Sequence, residues 1–226
     1  MLIISLISNV IVVLCIYKKY NLTTDETIGA LVYENIGIIF GAKVLIYLEN
    51  TNLYKNIDIL NIGFTSYGAL LVAFICLFIF KIQFKNKAKD IYYTFLPSIP
   101  LMYAIGKISC FLVGCCYGMK YSGPASIIYN YSSIAPKNIS LFSVQILETL
   151  IFTLIFIYMI KKTIKNKFNN KELGIFIILC GTSKFLLDFL RMKTTSNIFS
   201  TNQLLSLVFI FIGIFIFIKY LKEEND

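Results

Sequence analysis

Seven long apolar stretches, separated by short polar segments, constrain this chain more than any other feature of its sequence. They cover residues 1–17, 27–48, 59–80, 91–117, 140–160, 172–190 and 203–218. A helix needs about 20 apolar residues to cross the hydrocarbon core of a bilayer, and most of these stretches approach that length. Since 58% of the residues are apolar and the mean hydropathy is +0.76, a water-soluble fold is nearly excluded. The sequence predicts an all-α integral membrane protein with seven transmembrane helices, forming a single polytopic membrane domain over residues 1–226.

Basic residues are distributed unequally between the two sets of inter-span segments. Thirteen lie on one side: Lys18, Lys19, Lys81, Lys85, Lys87, Lys89, Lys161, Lys162, Lys165, Lys167, Lys171, Lys219 and Lys222. Five lie on the other: Lys55, Lys120, Lys137, Arg191 and Lys193. Because positive charge favours cytoplasmic loops, we expect the N-terminus outside and the C-terminus in the cytoplasm. The excess of 21 basic over 12 acidic residues then suits an anionic membrane face, and no nucleic acid is expected as a partner.

Several ionisable or polar side chains lie inside the predicted spans, where their burial in lipid is costly, so each one marks a candidate site. They are Glu34, Tyr67, Lys107, Glu148, Lys184 and Asp188, with Arg191 just after the sixth stretch. At about 1.5 Å of helix rise per residue, all of them except Glu34 fall in the outer half of the bilayer. We therefore expect the helices to surround a polar cavity that opens outward.

Two short patterns in the later spans bear on this cavity. Lys184, Asp188 and Arg191 are spaced i, i+4 and i+7, which predicts one helical face with the carboxylate between two cations. The surplus positive charge suits a phosphate group. The alternative is an internal ion-pair ladder from which Arg191 snorkels to the membrane surface. Gln145 and Glu148, spaced i and i+3, either join the same site or form hydrogen bonds between helices.

The densest local pattern, GKISCFLVGCCYG, covers residues 106–118. Its three glycines, which include Gly106 and Gly114, would let the backbone approach a lipid headgroup or break the helix within a cavity. The alternative is a small-residue packing seam that ends at a helix C-cap. Residues 37–41, which read GIIFG, predict such a packing seam in the second stretch.

Three of the six cysteines, Cys110, Cys115 and Cys116, form a C-x4-C-C pattern in the same region. The chain has no histidine, so a zinc site would need a further thiolate. The remaining cysteines, Cys15, Cys76 and Cys180, all lie in other predicted spans. We therefore predict no metal and no cofactor, and interpret most cysteines as small core residues.

The longest polar connection covers residues 118–139 and lies on the predicted outer side. It contains or adjoins four tyrosines, Tyr117, Tyr121, Tyr129 and Tyr131. Tyrosines are enriched at membrane–water interfaces. We predict an extracytoplasmic arm, or lid, at the level of the lipid headgroups.

The order of these motifs resembles the bacterial prolipoprotein diacylglyceryl transferase family, whose members have seven spans. The central signature of that family reads Gly-Arg-Ile-Gly-Asn-Phe-x-x-Gly-Glu-x-x-Gly. Residues 106–118 follow it, with Lys107, Cys110 and Cys115 in place of its arginine, asparagine and glutamate. The likeness extends in order over residues 60–215, and three further segments carry it. The family's His-Gly-Gly resembles residues 67–69, its Gln-Leu-Tyr-Glu resembles residues 145–148, and its Arg-Phe-x-x-Glu-Phe-x-Arg resembles residues 184–191.

The resemblance implies transfer of a diacylglyceryl group from phosphatidylglycerol to the lipobox cysteine of a lipoprotein precursor. It also implies a location at the outer face of the bacterial cytoplasmic membrane. Under this interpretation the catalytic residues are Lys107, Tyr67 and Arg191, with Tyr67 in the place of the family histidine. The substrate-binding residues are Lys184, Asp188, Glu148, Gln145, Gly106 and Gly114. The alternatives are a relative that uses another lipid or acceptor, a lipid-binding pseudoenzyme without turnover, and a transporter or structural membrane protein.

Overall fold

The computed structural model describes residues 1–49, 65–84, 88–165, 169–192 and 199–225, most of which are helical. The described helices are α1 Leu2–Ile16, α2 Thr24–Glu49, α3 Ser66–Phe84, α4 Ala88–Phe95, α5 Ser98–Val113, α6 Val144–Lys165, α7 Asn170–Asp188 and α8 Thr201–Asn225. A short 3-10 helix, Tyr17–Tyr20, follows α1. Two short strands, β1 Ser126–Ile127 and β2 Leu141–Phe142, precede α6. Lys55, Lys85, Lys87, Lys167 and Lys193, which entered the charge comparison, lie outside the described residues.

Among the described residues, six helical segments are long and apolar enough to cross a bilayer. They are Leu2–Tyr20, Thr24–Leu48, Ser66–Phe84, Ile91–Val113, Val144–Lys165 and Asn202–Lys222. The predicted all-α membrane protein is thereby confirmed for six of its seven spans. The remaining stretch forms α7, whose 19 residues include the charged side chains of Lys171, Glu172, Lys184 and Asp188. Since these charges lower its hydropathy, the seventh span stays a prediction.

The predicted span over residues 91–117 is wrong at its C-terminal end. Helix α5 ends at Val113, because Gly114 adopts the left-handed conformation with a φ of 76°. The Gly114 amide donates to the carbonyl oxygens of Cys110 at 2.9 Å and Phe111 at 3.3 Å. This is the usual way in which a glycine satisfies the last carbonyls of a helix. The residues that follow Gly114 are therefore outside the helix.

The chain forms two compact units, one of which comprises Val10–Leu96. Within it, α2 and α3 pack closely through glycines. A side chain at Gly41 would collide with the carbonyl oxygen of Gly68, and a Cβ at Gly37 would lie 2.9 Å from the Cα of Ala73. The packing seam predicted for residues 37–41 is therefore confirmed.

The other unit comprises Met1–Asn9 and Pro97–Asp226. Helix α6 contacts both α5 and α7, and α7 packs along α8. The α7–α8 contact also uses glycines, since a Cβ at Gly174 would lie 3.0 Å from the carbonyl oxygen of Gly213. Asn169 caps α7 by accepting hydrogen bonds from the amides of Lys171 and Glu172. Because α6 lies against both neighbours, polar side chains on α5, α6 and α7 can meet.

The arm over residues 118–139 is anchored by short strand pairings. Strand β1 pairs antiparallel with β2, and Gly118 forms an antiparallel bridge with Arg191. The Gly118 amide donates to the carbonyl oxygen of Phe142 at 3.0 Å, and a side chain at Gly118 would collide with that oxygen. The backbone around Arg191 is thus tied to the beginning of the arm.

The sequence analysis expected the tyrosines of the arm at the level of the lipid headgroups, but not all of them lie at the surface. Tyr129 is fully buried and packs with Ala135 and Leu141 in a small core of its own. Burial raises the pKa of Tyr129 above its ordinary value. Tyr131, by contrast, is 63% exposed and Tyr121 is 38% exposed. The prediction of interfacial tyrosines is therefore wrong for Tyr129, since its ring stabilises the arm.

Candidate active site

The centre of the candidate site is the carboxylate of Glu148, near the beginning of α6, whose side chain is 1% exposed. Lys107 Nζ lies 2.8 Å from its Oε2. Arg191 Nη2 donates to both oxygens, at 3.0 Å and 3.1 Å, and Lys184 Nζ lies 3.6 Å from Oε1. Three cations from separate parts of the unit therefore converge on one buried carboxylate, as a buried charge requires.

Tyr103 of α5 joins this group, and it was missed by sequence reasoning. Its hydroxyl donates to Glu148 Oε1 at 3.0 Å and accepts from Lys184 Nζ at 2.6 Å. The centroid of its ring lies 5.1 Å from Lys107 Nζ and 4.9 Å from Lys184 Nζ, within the range of cation–π attraction. Its spacing of i−4 from Lys107 puts it on the same helical face, and this signal was available in the sequence.

The expected helical face of Lys184, Asp188 and Arg191 is wrong. Helix α7 ends at Asp188, so Arg191 lies beyond the helix. Asp188 accepts a hydrogen bond from Ser200 Oγ, and its Oδ1 lies 3.6 Å from Arg191 Nε. The carboxylate between the cations is therefore that of Glu148. Arg191 does not snorkel to the surface either, because its side chain is 16% exposed and pairs with Glu148.

We call Lys107, Lys184, Arg191, Glu148 and Asp188 the charge cluster. With three cations and two carboxylates, it carries a net charge of +1. Arg191 Nε is buried and has no hydrogen-bond acceptor among the described residues. A buried donor without an acceptor is rare in folded proteins. The charge and this donor together suit a singly charged anion.

The other predicted site residues do not belong to the charge cluster. Gln145, one turn before Glu148, donates from Nε2 to the Cys115 carbonyl oxygen at 2.7 Å and accepts from the Tyr129 hydroxyl at 3.4 Å. Both ends of its carboxamide therefore hold protein groups. Gly106 faces open space, since no atom lies within 4 Å of where its Cβ would be. Tyr67 lies at the beginning of α3 in the first unit, and its role stays a prediction.

Three cysteines meet at the end of α5, and we call Cys110, Cys115 and Cys116 the cysteine cluster. Their sulfur atoms all lie within 4.8 Å of one another, and all three are free thiols. Cys116 is exposed. Gln145, one turn before Glu148 on α6, donates to the Cys115 carbonyl oxygen, so the cysteine cluster lies near the charge cluster. The sequence analysis named this C-x4-C-C pattern but interpreted most of its cysteines as small core residues. It did not predict that the three thiols meet, because the backbone that brings them together lies beyond the helix end.

Comparison with known proteins gives a consistent result. The family described as prolipoprotein diacylglyceryl transferase matches residues 1–219. A phosphatidylglycerol–prolipoprotein diacylglyceryl transferase of Clostridium tetani is 31% identical over 209 residues, which cover 88% of this chain and 83% of that protein. The second such transferase of Clostridium perfringens is 25% identical, over 92% and 84% of the two chains. The phosphatidylglycerol–prolipoprotein diacylglyceryl transferase of Finegoldia magna is 26% identical, and the match covers 91% of this chain and 83% of that protein.

Proposed function

Since the chain belongs to the prolipoprotein diacylglyceryl transferase family, we propose that it transfers a diacylglyceryl group from phosphatidylglycerol to a protein thiol. The acceptor is the lipobox cysteine of a lipoprotein precursor. The reaction takes place at the outer face of the bacterial cytoplasmic membrane. The convergence of Lys107, Lys184 and Arg191 on Glu148 is the observation that carries this proposal.

The charge cluster suits the phosphate of the donor lipid. A phosphodiester carries one negative charge, which balances the net charge of +1. When the bond from the glyceryl carbon to the phosphate oxygen breaks, the departing glycerol phosphate gains a second negative charge. Cations that are already in position stabilise that charge without reorganisation. Glu148 and Tyr103 hold the two lysines in place, and Arg191 Nε offers a donor to a phosphate oxygen.

The proposal includes the membrane arrangement. Seven spans surround an outward-opening cavity, with the N-terminus outside, the C-terminus in the cytoplasm, and residues 1–226 as a single membrane domain. Helix α7 is the seventh span, since Lys184 and Asp188 have polar partners and need not face lipid. The arm lies at the headgroups through its exposed apolar side chains, which are Met119, Tyr121, Ile128, Tyr131 and Ile134.

The test is a transfer assay with the full chain in phosphatidylglycerol vesicles and a lipobox peptide. We expect the peptide mass to rise by one diacylglyceryl group. A peptide with serine in place of its cysteine and vesicles of phosphatidylcholine are the controls, and neither should give product. An unmodified cysteine peptide, with intact protein present, would contradict the proposal.

The absence of histidine favours a second candidate, a lipid-binding protein without turnover. Such a protein would bind phosphatidylglycerol vesicles through the charge cluster and leave the peptide unchanged. A relative that uses another lipid or another acceptor would instead give product once the vesicle composition or the thiol is changed. The same assay, run over several lipids and thiols, separates these possibilities.

A further inference from the structure

The cysteine cluster has no role in the transfer described so far. Cys110 and Cys115 stand where the family signature has an asparagine and a glutamate, so this feature belongs to the present chain rather than to the signature. The three sulfur atoms lie within 4.8 Å of one another. None of the three is in a disulfide. Three free thiols at one point form a typical ligand set for a soft metal ion.

The backbone beyond α5 brings these thiols together. Gly114 and Cys116 both have positive φ, of 76° and 55°. Residues other than glycine rarely adopt this conformation. At Cys116 it allows the thiols of Cys115 and Cys116, which are adjacent in the sequence, to lie at the same point. The Cys115 amide donates to the Cys110 carbonyl oxygen at 3.0 Å, and Gln145 holds the Cys115 carbonyl oxygen. The fold therefore maintains the cluster through contacts other than those between the thiols.

We propose that Cys110, Cys115 and Cys116 bind Zn²⁺ through three thiolates and leave its fourth position for the acceptor thiol. A Zn–S distance of about 2.3 Å separates thiolates in a tetrahedral site by about 3.8 Å. Sulfurs that already lie within 4.8 Å need approach one another by only about 1 Å. The expectation of no metal assumed that zinc requires a fourth protein ligand. Zinc sites that act in catalysis use three protein ligands and keep one position open.

The neighbouring charges also suit this site. Three thiolates and one Zn²⁺ carry a net charge of −1, whereas the charge cluster carries a net charge of +1. The zinc site and the charge cluster therefore carry opposite net charges, which attract one another. An acceptor thiol bound at the fourth position would lie beside the phosphate group of the donor lipid. This inference rests on the proposed transfer.

The chemical step balances without a further reactant. The acceptor thiol loses its proton to water when it binds Zn²⁺, since a coordinating thiol is deprotonated. Its sulfur attacks the glyceryl carbon, so that a C–S bond forms and the bond from that carbon to the phosphate oxygen breaks. The electron pair leaves with glycerol phosphate, which the charge cluster holds. The thioether product is a weaker zinc ligand and dissociates. In this way the zinc site supplies the thiolate in a chain that has no histidine.

The first experiment measures metal binding independently of activity. The full chain is purified in detergent under reducing, anaerobic conditions, loaded with Zn²⁺, freed of unbound metal and analysed by mass spectrometry for bound zinc. We expect one ion per chain, and a thiolate-to-metal charge-transfer band when Cd²⁺ replaces Zn²⁺. Loss of a residue that only hydrogen-bonds a metal ligand lowers metal affinity about 10- to 100-fold, and loss of a ligand itself should cost at least as much. We therefore expect Cys115→Ser and Cys116→Ser each to lower the zinc affinity by at least about 100-fold. Cys180→Ser, at a free cysteine in α7, is the matched control and should bind as the parent does.

Two results would overturn the metal site. One is a parent protein that retains no zinc and gives no Cd²⁺ band. The other is an intramolecular disulfide within the cysteine cluster, detected by intact mass after alkylation of the purified, unreduced protein. Both are measured on the unmodified chain, so a variant that fails to fold does not affect the test.

The second experiment tests the fourth position by X-ray absorption at the zinc edge. We expect three sulfur ligands in the protein alone, four with the lipobox peptide, and three with the serine peptide. A count that stays at three with the cysteine peptide refutes the role of the open position. Four sulfurs without diacylglyceryl transfer would refute the proposed function and leave the metal site intact. Transfer at the parent rate by Cys115→Ser and Cys116→Ser would refute the role of zinc and leave the proposed function intact.

Discussion

Replacing Glu148 by glutamine removes the carboxylate on which the three cations of the charge cluster converge. Glutamine has nearly the same size and keeps an oxygen that can accept from Arg191, so the change is one of charge rather than shape. The net charge of the charge cluster rises from +1 to +2. Lys107, 2.8 Å from the carboxylate in the parent, then faces the other cations without its closest partner.

The expected loss of stability follows from these contacts. Two unit charges 4 Å apart interact by about 4 kcal/mol at an effective dielectric constant of 20. Part of this is offset by the cost of removing the charges from water, and removing one partner of a buried ion pair costs about 3–5 kcal/mol. In a chain of this size, 1 kcal/mol corresponds to about 2–4 °C, so the Tm of Glu148→Gln should fall by about 6–20 °C. An added phosphodiester restores one negative charge, so phosphatidylglycerol should stabilise this variant more than it stabilises the parent.

The measurement is thermal unfolding in detergent, followed by circular dichroism, with phosphatidylglycerol or phosphatidylcholine added. Asp25→Asn is the matched control, since Asp25 is an exposed carboxylate in the first turn of α2. Its loss should cost no more than about 1 kcal/mol. If Glu148→Gln had the same Tm as the Asp25→Asn control, the carboxylate of Glu148 would not be needed to stabilise the three buried cations. Equal stabilisation by the two lipids would refute the assignment of the charge cluster to phosphate.

Three further predictions concern the reaction, the fold and the topology. Lys107→Ala should abolish nearly all transfer in the vesicle assay, while Tyr67→Phe keeps measurable activity; the reverse order would make Tyr67 the base. Gly114→Ala should lower the free energy of unfolding by about 1–2 kcal/mol in denaturant titration, because Gly114 has a φ of 76° and its new Cβ would lie 2.7 Å from that of Ser132. Cysteines introduced at Ser140 and Asn169, and located by peptide mass, should react with impermeant reagents from opposite sides of the membrane; labelling from one side only would refute the topology.

The spans were predictable because apolar length is a local property of the chain. A run of about 20 apolar residues has few alternatives to a membrane helix, and six predicted stretches correspond to candidate spans. The predicted span continued past Gly114, although a helix C-cap within residues 106–118 was one of the alternatives and the structure confirms it. Glycine also occurs inside membrane helices where they pack closely, as residues 37–41 show. Its conformation was decided by the hydrogen bonds available after the helix.

The members of the charge cluster were predictable, but their pairing was not. Ionisable residues in apolar helices are rare enough that Lys107, Glu148 and Lys184 stand out individually. Pairing by helical spacing assigned Lys184 to Asp188, because both were expected on one continuous face. The end of α7 at Asp188 and the bridge between Gly118 and Arg191 direct the arginine to another helix. These are contacts between distant parts of the chain, which spacing along one helix cannot contain.

Tyr103 contacts both of the lysines that stand where the family motifs have arginines. A lysine is a point charge on a flexible stem and cannot form the bidentate contact that an arginine offers to a phosphate. Here the hydroxyl of Tyr103 holds Lys184 at 2.6 Å, and its ring lies close to both lysine ammonium groups. Glu148 holds Lys107 at 2.8 Å. An arginine orients itself on a phosphate through the planar geometry of its guanidinium. In the proposed transferase, the partners of each lysine hold its ammonium group in place instead, and these positioned charges recognise the phosphate.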